Sequence, residues 1–203
     1  MINKNHNRGF TLIETLVAIF ILTTAIAGPL TIASRALTSA LVAKNQITAF
    51  YLAQDAVEYV RFARDTNTLA GGDWLTGAGA TGTFINLTSC ISTAGCYLDS
   101  TAQNPPVITA CTTCAMPISN PEFTGRKYLY YNNANGYYSY NSASPANTKT
   151  IFWRQISITS ISTTEVKLTV TVYWSDAAAG TTVGVVSSVI RQVVVIENLL
   201  KWQ

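Results

Sequence analysis

Residues 8–34 read RGFTLIETLVAIFILTTAIAGPLTIAS, and this stretch carries most of the information about the fold. In its apolar part the one charged residue is Glu14, and the twenty residues that follow it carry no charge. At about 1.5 Å of rise per residue, a helix of that length crosses a hydrocarbon core of about 30 Å. The basic residues Lys4 and Arg8 precede the apolar run. The stretch therefore predicts a membrane-spanning helix behind a short basic segment.

Glu14 distinguishes this segment from ordinary membrane-targeting sequences. A carboxylate is costly inside a membrane and usually faces a partner of opposite charge. An ordinary signal peptide is one alternative, but its apolar core is usually about 7–15 residues long. Here a helix-compatible pattern also continues through the zone where such a peptide would be cut. A plain signal anchor is the other alternative, and it tolerates Glu14 only at the membrane interface.

The segment Arg8–Glu14, Arg-Gly-Phe-Thr-Leu-Ile-Glu, resembles the processing motif of type IV prepilins and pseudopilins, a class III signal peptide. The resemblance implies that a membrane-embedded prepilin peptidase cuts between Gly9 and Phe10. It also implies that the same enzyme methylates the new amino terminus of Phe10. Residues 1–9 are then a leader that is removed, and residues 10–34 are kept as the transmembrane and filament-core helix.

The same resemblance gives Glu14 a role in assembly. In the family, this carboxylate pairs with the N-terminal amine of a neighbouring subunit, and it helps recruitment into the growing fibre. A lone charge in a low-dielectric core is heavily penalised and a paired one is not, so Glu14 is expected to set the subunit register. The continuation ETLVAIFIL is more similar to the minor-pilin and pseudopilin branch than to the main pilus subunit.

Gly28 and Pro29 interrupt the apolar half of the predicted helix. Proline removes a backbone hydrogen bond and usually kinks or opens a helix locally. One interpretation is a kink that the membrane tolerates. The other, favoured because pilin stems resemble this pattern, is a helix break that melts or stretches as subunits pack.

Residues 35–67 are predicted to continue the helix as an amphipathic half that ends near Asn67, before Gly71 and Gly72. Segment 52–67 is similar to the end of the long helix in many minor pilins. Spacings of three and four, typical of one helix face, relate a set of apolar residues: Ala40, Ala43, Ile47, Phe50, Ala53, Val57 and Val60. This stripe predicts that the helix covers an apolar surface.

The C-terminal region, residues 127–203, is predicted to supply that surface as an antiparallel β-sheet head. Apolar and polar residues alternate with a period of two in three segments, which is typical of strands with one buried face: 152–159, 166–173 and 185–196. The final residues, Glu197–Gln203, are predicted to cap the sheet. The predicted fold class is therefore α+β and pilin-like, with a long N-terminal helix packed on a C-terminal antiparallel sheet.

Residues 68–126 are rich in turn-forming residues and resemble the variable loop of pilin heads. Short strands are predicted there at most, such as Thr83–Leu87. Asn86-Leu87-Thr88 is a glycosylation sequon, which is more often an unused chance match.

Four cysteines lie in this variable region: Cys90, Cys96, Cys111 and Cys114. The topology places them outside the cytoplasm, where an even number predicts disulfides. Sequence alone leaves the connectivity open among three pairings, including the local one (90–96 with 111–114) and the nested one (90–114 with 96–111). A tetrahedral zinc site is the alternative, and the oxidising compartment disfavours it.

Two aromatic runs, Tyr128–Tyr131 and Tyr137–Tyr140, flank a turn that contains Asn135-Gly136. This arrangement predicts a β-hairpin. The tyrosines are interpreted first as cross-strand pairs within the sheet. A contact surface for carbohydrate or another protein is the alternative.

Composition excludes several classes of function. Removal of the leader takes Lys+Arg from 13 to 11, since Lys4 and Arg8 are lost, against 10 acidic residues. A near-neutral chain of this kind disfavours direct nucleic-acid binding. The single histidine, His6, lies in the leader, so catalysis or metal binding through histidine is not expected. Neither a phosphate loop nor a catalytic pair was found, so no enzyme activity, cofactor or metal is predicted.

The predicted function is that of a minor type IV pilin or pseudopilin, a structural subunit of a type IV pilus-like filament. Expected partners are prepilin peptidase, other pilins or pseudopilins, an inner-membrane assembly platform and membrane lipid before assembly. The helix is expected to cross the cytoplasmic membrane once, with the head outside, and to reach a surface filament after assembly. Adhesion, motility, secretion and DNA uptake are not separated by sequence. The alternative is a membrane-anchored surface adhesin that never polymerises.

Overall fold

The structure, a computed structural model, describes residues 11–99, 101, 107–111, 127–175 and 190–201. Within these residues there is one long helix, α1 (Leu12–Leu69), and a short 3-10 turn, Thr88–Cys90. Seven strands follow in the described chain: β1 (Cys96–Asp99), β2 (Val107–Ala110), β3 (Tyr128–Asn132), β4 (Tyr138–Ser139), β5 (Asn147–Ser160), β6 (Glu165–Ser175) and β7 (Ile190–Leu200). The chain divides into two compact units, Met1–Lys44 and Asn45–Gln203, and α1 contributes to both.

The first unit consists, in its described part, of the apolar portion of α1. Every side chain from Thr11 to Leu41 is exposed. This is the one described helix that is long and apolar enough to cross a membrane, and none of its most apolar window is buried. The helix runs through Gly28 and Pro29 without interruption. The helix break predicted there concerns packed subunits, and it stays a prediction.

The second unit is built on an antiparallel sheet with β5 at its centre. Residues 152–160 of β5 pair with β6, and β6 pairs in turn with β7. On the other edge of β5, Trp153 pairs with Tyr128 of β3, and Ile156 pairs with Cys96 of β1. The outer strands β4 and β2 then add to β3 and β1.

Residues 45–69 of α1 pack their buried side chains into the core that this sheet forms. The helix buries one stripe: Ala49, Leu52, Ala53, Ala56, Val57, Val60, Ala63 and Asn67. Large side chains from the strands complete the core, among them Ile156, Leu168 and Trp174. The predicted α+β arrangement of a long N-terminal helix on a C-terminal antiparallel sheet is therefore confirmed.

The predicted stripe on the helix was only partly correct. It is right at Ala53, Val57 and Val60 and wrong at Ala40, Ala43, Ile47 and Phe50, which are exposed. The predicted series starts on a neighbouring face of the helix and meets the buried face only from Ala53 onward. Because alanine lets two backbones approach closely, the face rich in alanine lies against the sheet, and Phe50 points outward.

Two details of the predicted strands need correction, and a third is not tested. Residues 83–87 form no strand; instead, the described part of the variable region contributes β1 and β2 to the sheet. Residues 197–200 do not cap the sheet, because they are the end of β7, where Glu197 pairs with Leu168. The first five residues of the third predicted strand, 185–189, lie outside the described residues.

The tyrosine-rich hairpin was predicted correctly. Strands β3 and β4 pair in antiparallel fashion, with Tyr131 opposite Tyr138. The rings of these two residues contact each other, with centroids 5.2 Å apart. Gly136 adopts a positive φ of 74° in the turn, a conformation that glycine reaches without steric cost.

Candidate functional site

The first turn of α1 holds the residue to which the sequence assigns an assembly role. Thr11 precedes the helix, and its carbonyl oxygen accepts hydrogen bonds from the backbone N–H groups of Glu14 (3.1 Å) and Thr15 (3.2 Å). The Thr11 hydroxyl oxygen also accepts a longer bond from the Glu14 N–H at 3.4 Å. Thr11 is therefore the N-cap. The spacing Thr-x-x-Glu is typical of a capping box, and this pattern was overlooked in the sequence.

The Glu14 side chain has no partner among the described residues. The ion pairs in that part of the chain are Glu58–Arg61, Glu197–Arg61, Asp65–Arg64 and Asp55–Arg154. The neighbours of Glu14 are exposed apolar side chains, with Leu12, Ile13 and Leu16 at 83%, 66% and 57% exposure. Its place in the first turn lets the helix dipole stabilise the carboxylate in part. A full counter-charge must come from outside the described chain.

The rest of the apolar segment, up to Ser34, satisfies its own polar groups. Each hydroxyl between Leu12 and Ser34 donates to a carbonyl oxygen one turn earlier, at 2.7–3.0 Å: Thr15 to Leu12, Thr23 and Thr24 to Phe20, Thr31 to Gly28, and Ser34 to Thr31. Such internal bonds remove the cost of placing hydroxyls in an apolar medium. Glu14 is therefore the polar side chain of this segment that the helix itself leaves without a hydrogen-bond partner.

Gly28 and Pro29 lie within this self-satisfied segment. The Thr31 hydroxyl donates to the Gly28 carbonyl oxygen at 2.7 Å. Proline offers no N–H to the helix, and its ring crowds the preceding turn. The bond from Thr31 gives the Gly28 carbonyl oxygen a side-chain donor next to the proline. A Cβ atom at position 28 would have no neighbouring atom within 4 Å. These features fit a continuous helix with little to resist local opening.

The predicted cleavage junction cannot be placed geometrically, since Gly9 and Phe10 lie outside the described residues. The cysteines are placed in part. Cys90 and Cys96 form a disulfide in which both residues are buried. It joins the 3-10 turn to the start of β1, and it agrees with the local pairing. Cys111 is also disulfide-bonded, and Cys114 lies outside the described residues.

Gly95 lies in the short loop that the Cys90–Cys96 disulfide closes, and its backbone has a positive φ. This residue has a φ of 72°, and a Cβ there would lie 2.3 Å from the Ile156 carbonyl oxygen. Only glycine allows β5 to approach so closely in that conformation. Gly95 therefore lets the Cys90–Cys96 loop lie against the central strand.

Two buried polar residues hold the second unit together, and sequence reasoning missed both. Arg154 is 3% exposed, and its guanidinium donates to the Leu52 carbonyl (2.6 Å), the Leu98 carbonyl (3.0 Å) and the Asp55 carboxylate (2.8 Å). Thus one side chain of β5 joins α1 to β1. The sequence did carry a signal, because Arg154 falls on the predicted apolar face of its strand and a charged residue there indicates a buried polar contact.

Asn67, the second missed residue, is fully buried at the end of α1. Its amide bonds both backbone groups of Ile85: the nitrogen donates to the carbonyl and the oxygen accepts from the N–H, each at 2.8 Å. The nitrogen also contacts the Trp74 carbonyl oxygen at 3.3 Å. The side chain thereby pairs with the following loop as a neighbouring strand would.

The described residues contain no group of three or more His, Cys, Asp or Glu side chains arranged to hold a metal ion. The remaining ion pairs are less buried. Arg61 pairs with Glu58 of its own helix and with Glu197 of β7, and it donates to Glu197 through both Nε (2.9 Å) and Nη2 (2.7 Å) in a part-buried contact. Asp65 pairs with Arg64. The exposed Glu58–Arg61 pair contributes little stability.

Comparison with known proteins adds a match in the N-terminal segment. The family described as the prokaryotic N-terminal methylation motif matches residues 4–28. No curated protein and no solved structure matches the chain. The matched motif implies processing by prepilin peptidase and assembly with other pilins, and its family is structural rather than catalytic. Together with the exposed apolar helix, it fits membrane anchoring before assembly. Residues 4–28 therefore identify a type IV pilin-like class III signal peptide at the start of this chain.

Proposed function

We propose that this chain is a minor type IV pilin or pseudopilin. It is cut after Gly9, methylated at Phe10, held in the cytoplasmic membrane by residues 10–34, and assembled through that helix. The filament core is then a bundle of such helices, and the heads form its surface. The inner-membrane assembly platform extracts each subunit from the lipid.

The observation that carries this proposal is the unpaired carboxylate of Glu14 within the matched motif. Between Leu12 and Ser34 the helix satisfies its hydroxyl groups internally, yet it leaves this carboxylate without a partner among the described residues. Cleavage after Gly9 creates a positive amine four residues away. If Glu14 pairs with that amine on a neighbouring subunit, neither charge remains isolated in the apolar core.

The exposed apolar surface of the first unit supports the same conclusion. Soluble monomers rarely expose apolar patches larger than a few hundred Å², whereas here a whole membrane-length segment is exposed. Lipid covers that surface before assembly, and other copies of the same helix cover it in a filament. An adhesin that stays in the membrane needs the lipid alone, and it has no use for a charge at Glu14.

The first test is the intact mass and N-terminal sequence of the protein after co-expression with a prepilin peptidase. The expected chain begins at methylated Phe10 and is lighter than its reduced form by one hydrogen for each of the four cysteines. A chain that begins at Met1, or one cut beyond residue 34, contradicts the proposal and leaves an anchored or secreted surface protein.

The second test separates a filament subunit from an anchored adhesin. Glu14→Ala is expected to lower recovery in sheared filaments by at least about tenfold, because loss of one partner of a buried ion pair costs about 3–5 kcal/mol. Glu58→Ala is the matched control, since Glu58 belongs to an exposed surface pair. A non-polymerising adhesin would instead display its head equally well in both variants.

A further inference from the structure

A cleft in the second unit lies between α1, beside the Arg154 contacts, and the tyrosine-rich hairpin. It has a volume of about 410 Å³, within the range of about 300–1,000 Å³ that small-molecule sites occupy. One wall is a face of α1 that presents Tyr51, Leu52 and Asp55, and the other carries Thr101, Tyr137 and Tyr138. All of these residues belong to the same compact unit.

The aromatic rings of the cleft are unusually accessible. Tyr51 is 66% exposed and Tyr137 is 38% exposed. Tyr138 is half-buried, and its ring is held by Tyr131 across the hairpin. Tyrosine offers a large rigid contact surface at a low cost in side-chain entropy, and its hydroxyl adds a polar contact. The cleft therefore presents two open aromatic faces and one that is already fixed in position.

The carboxylate of Asp55 is the polar centre of the cleft. Its Oδ2 atom accepts a hydrogen bond from the buried Arg154 guanidinium at 2.8 Å. Its Oδ1 atom has no hydrogen-bond partner within the described part of the chain, and half of the side chain is exposed. The arginine behind the carboxylate compensates its charge and fixes its orientation. Asp55 is thus a positioned acceptor with little net attraction for a cation.

The opposite rim is positioned in the same way. The buried carboxylate of Asp99 accepts hydrogen bonds from the Thr101 hydroxyl (2.7 Å) and the Thr101 N–H (3.1 Å) through Oδ1. Its other oxygen accepts from the Tyr140 N–H at 2.9 Å. Both sides of the cleft are therefore held by buried polar contacts before any ligand arrives. Such preorganisation lowers the entropic cost of binding.

We propose that this cleft binds a neutral saccharide. A pyranose ring has an apolar C–H face, which packs on an aromatic ring, and a rim of hydroxyl groups, which donate to a fixed acceptor such as Asp55 Oδ1. Arg154 offsets the charge of Asp55, and the Asp99 carboxylate is buried with its oxygens occupied by Thr101 and Tyr140, so the cleft offers a ligand a fixed hydrogen-bond acceptor more than a free negative charge, which favours a neutral sugar over a cationic peptide or an amino sugar. This inference does not depend on assembly, and it assigns the head a ligand that filament formation does not require.

The test uses the full-length protein in a zwitterionic detergent, because glucoside and maltoside detergents present competing sugars. Saturation-transfer NMR is recorded with a panel of neutral probes: glucose, galactose, N-acetylglucosamine, cellobiose and lactose. Glucosamine and glucuronate serve as the cationic and anionic comparisons. At least one neutral sugar is expected to bind with a dissociation constant of about 1 mM or lower, and more tightly than either charged sugar.

Single substitutions test whether the sugar binds in the cleft. Tyr51→Ala and Tyr137→Ala are each expected to weaken binding by about tenfold, as loss of a central aromatic contact does. Tyr51→Phe should retain most of the affinity, since it keeps the ring. Phe62→Ala is the matched control, because Phe62 is a 57% exposed aromatic residue of α1 that does not line the cleft.

Three outcomes overturn the proposal. The first is the absence of binding for every neutral probe; the second is binding that survives loss of both tyrosines. The third is a preference for glucosamine or for a lysine-rich peptide, which would make the cleft a cation site.

Discussion

The two compact units of this chain use apolar side chains in opposite ways. In Asn45–Gln203 they lie inside, where the helix stripe and the strands bury one another. In Met1–Lys44 the described apolar residues lie outside, and the structure offers them no internal partner. The same kind of residue therefore stabilises the second unit on its own and makes the first unit depend on lipid or on other helices.

Polar groups show the same contrast. Residues 12–34 satisfy their hydroxyls within single helical turns, and the carboxylate of Glu14 has no partner among the described residues. The second unit satisfies its buried polar groups over long sequence distances, as Arg154 does with Leu52 and Leu98. Local bonding suits a helix whose surroundings are apolar, whereas long-range bonding suits a folded unit with its own core.

Removal of Arg154 is expected to have the largest effect on the second unit. Arg154→Ala leaves two backbone carbonyls and the Asp55 carboxylate without their donor, and it opens a cavity beside β5. The expected loss of unfolding free energy is about 3–5 kcal/mol. Urea unfolding followed by tryptophan fluorescence measures it cleanly, because all four tryptophans lie beyond residue 44. Lys167→Ala, at an exposed position of β6, is the control and should change little.

A matched pair of leucines tests the comparison directly. Leu52 is 5% exposed in the second unit and Leu22 is 60% exposed in the first. Leu52→Ala is expected to lower the unfolding free energy of the second unit by about 2–5 kcal/mol. Leu22→Ala should leave that value unchanged in the same urea titration. Equal effects of the two substitutions would show that the units are not independent in stability.

Asn67→Ala is expected to have a smaller effect, a loss of about 1–3 kcal/mol. The reason is that the N–H and carbonyl of Ile85 stay buried without their amide partner. Gln54→Ala provides the control at an exposed position of the same helix. Hydrogen exchange at the Ile85 amide should also accelerate in the Asn67 variant, and unchanged protection there would contradict the assigned role.

The smallest effect concerns pH. Tyr59 lies outside the membrane-length segment, and burial raises the pKa of its hydroxyl from 10.0 to about 12. That hydroxyl is buried without a hydrogen-bond partner in the described part of the chain. Both states keep the proton below pH 10. Between pH 10 and about 12 the unfolded chain loses it first, so the stabilisation falls as pH rises.

Comparison with Tyr59→Phe isolates this contribution, because other titrating groups are common to both proteins. The stability of the wild type should fall more steeply than that of the variant between pH 10 and 12. Parallel curves would mean that Tyr59 titrates at its ordinary pKa.

Features that depend on neighbouring residues can be predicted from the amino-acid sequence alone. A run of apolar residues predicts a membrane-length helix whatever the rest of the chain does, and strict alternation predicts strands. Arg8–Glu14 carries the processing motif in seven consecutive residues, and the Tyr128–Tyr140 hairpin depends on one local turn. The Thr11 cap also depends on local spacing, so it could have been predicted from the sequence.

Features that depend on distant contacts are fixed when the chain folds. The buried face of α1 follows from the shape of the sheet, which admits Ala49 and excludes Phe50. The partner of Cys90 depends on where β1 joins β5, and the roles of Arg154 and Asn67 depend on backbone groups 56 and 18 residues away. Sequence spacing records which residues can share a helix face or a strand. It does not record which backbone groups folding will bury next to them, and the energy of a buried polar group depends on those neighbours.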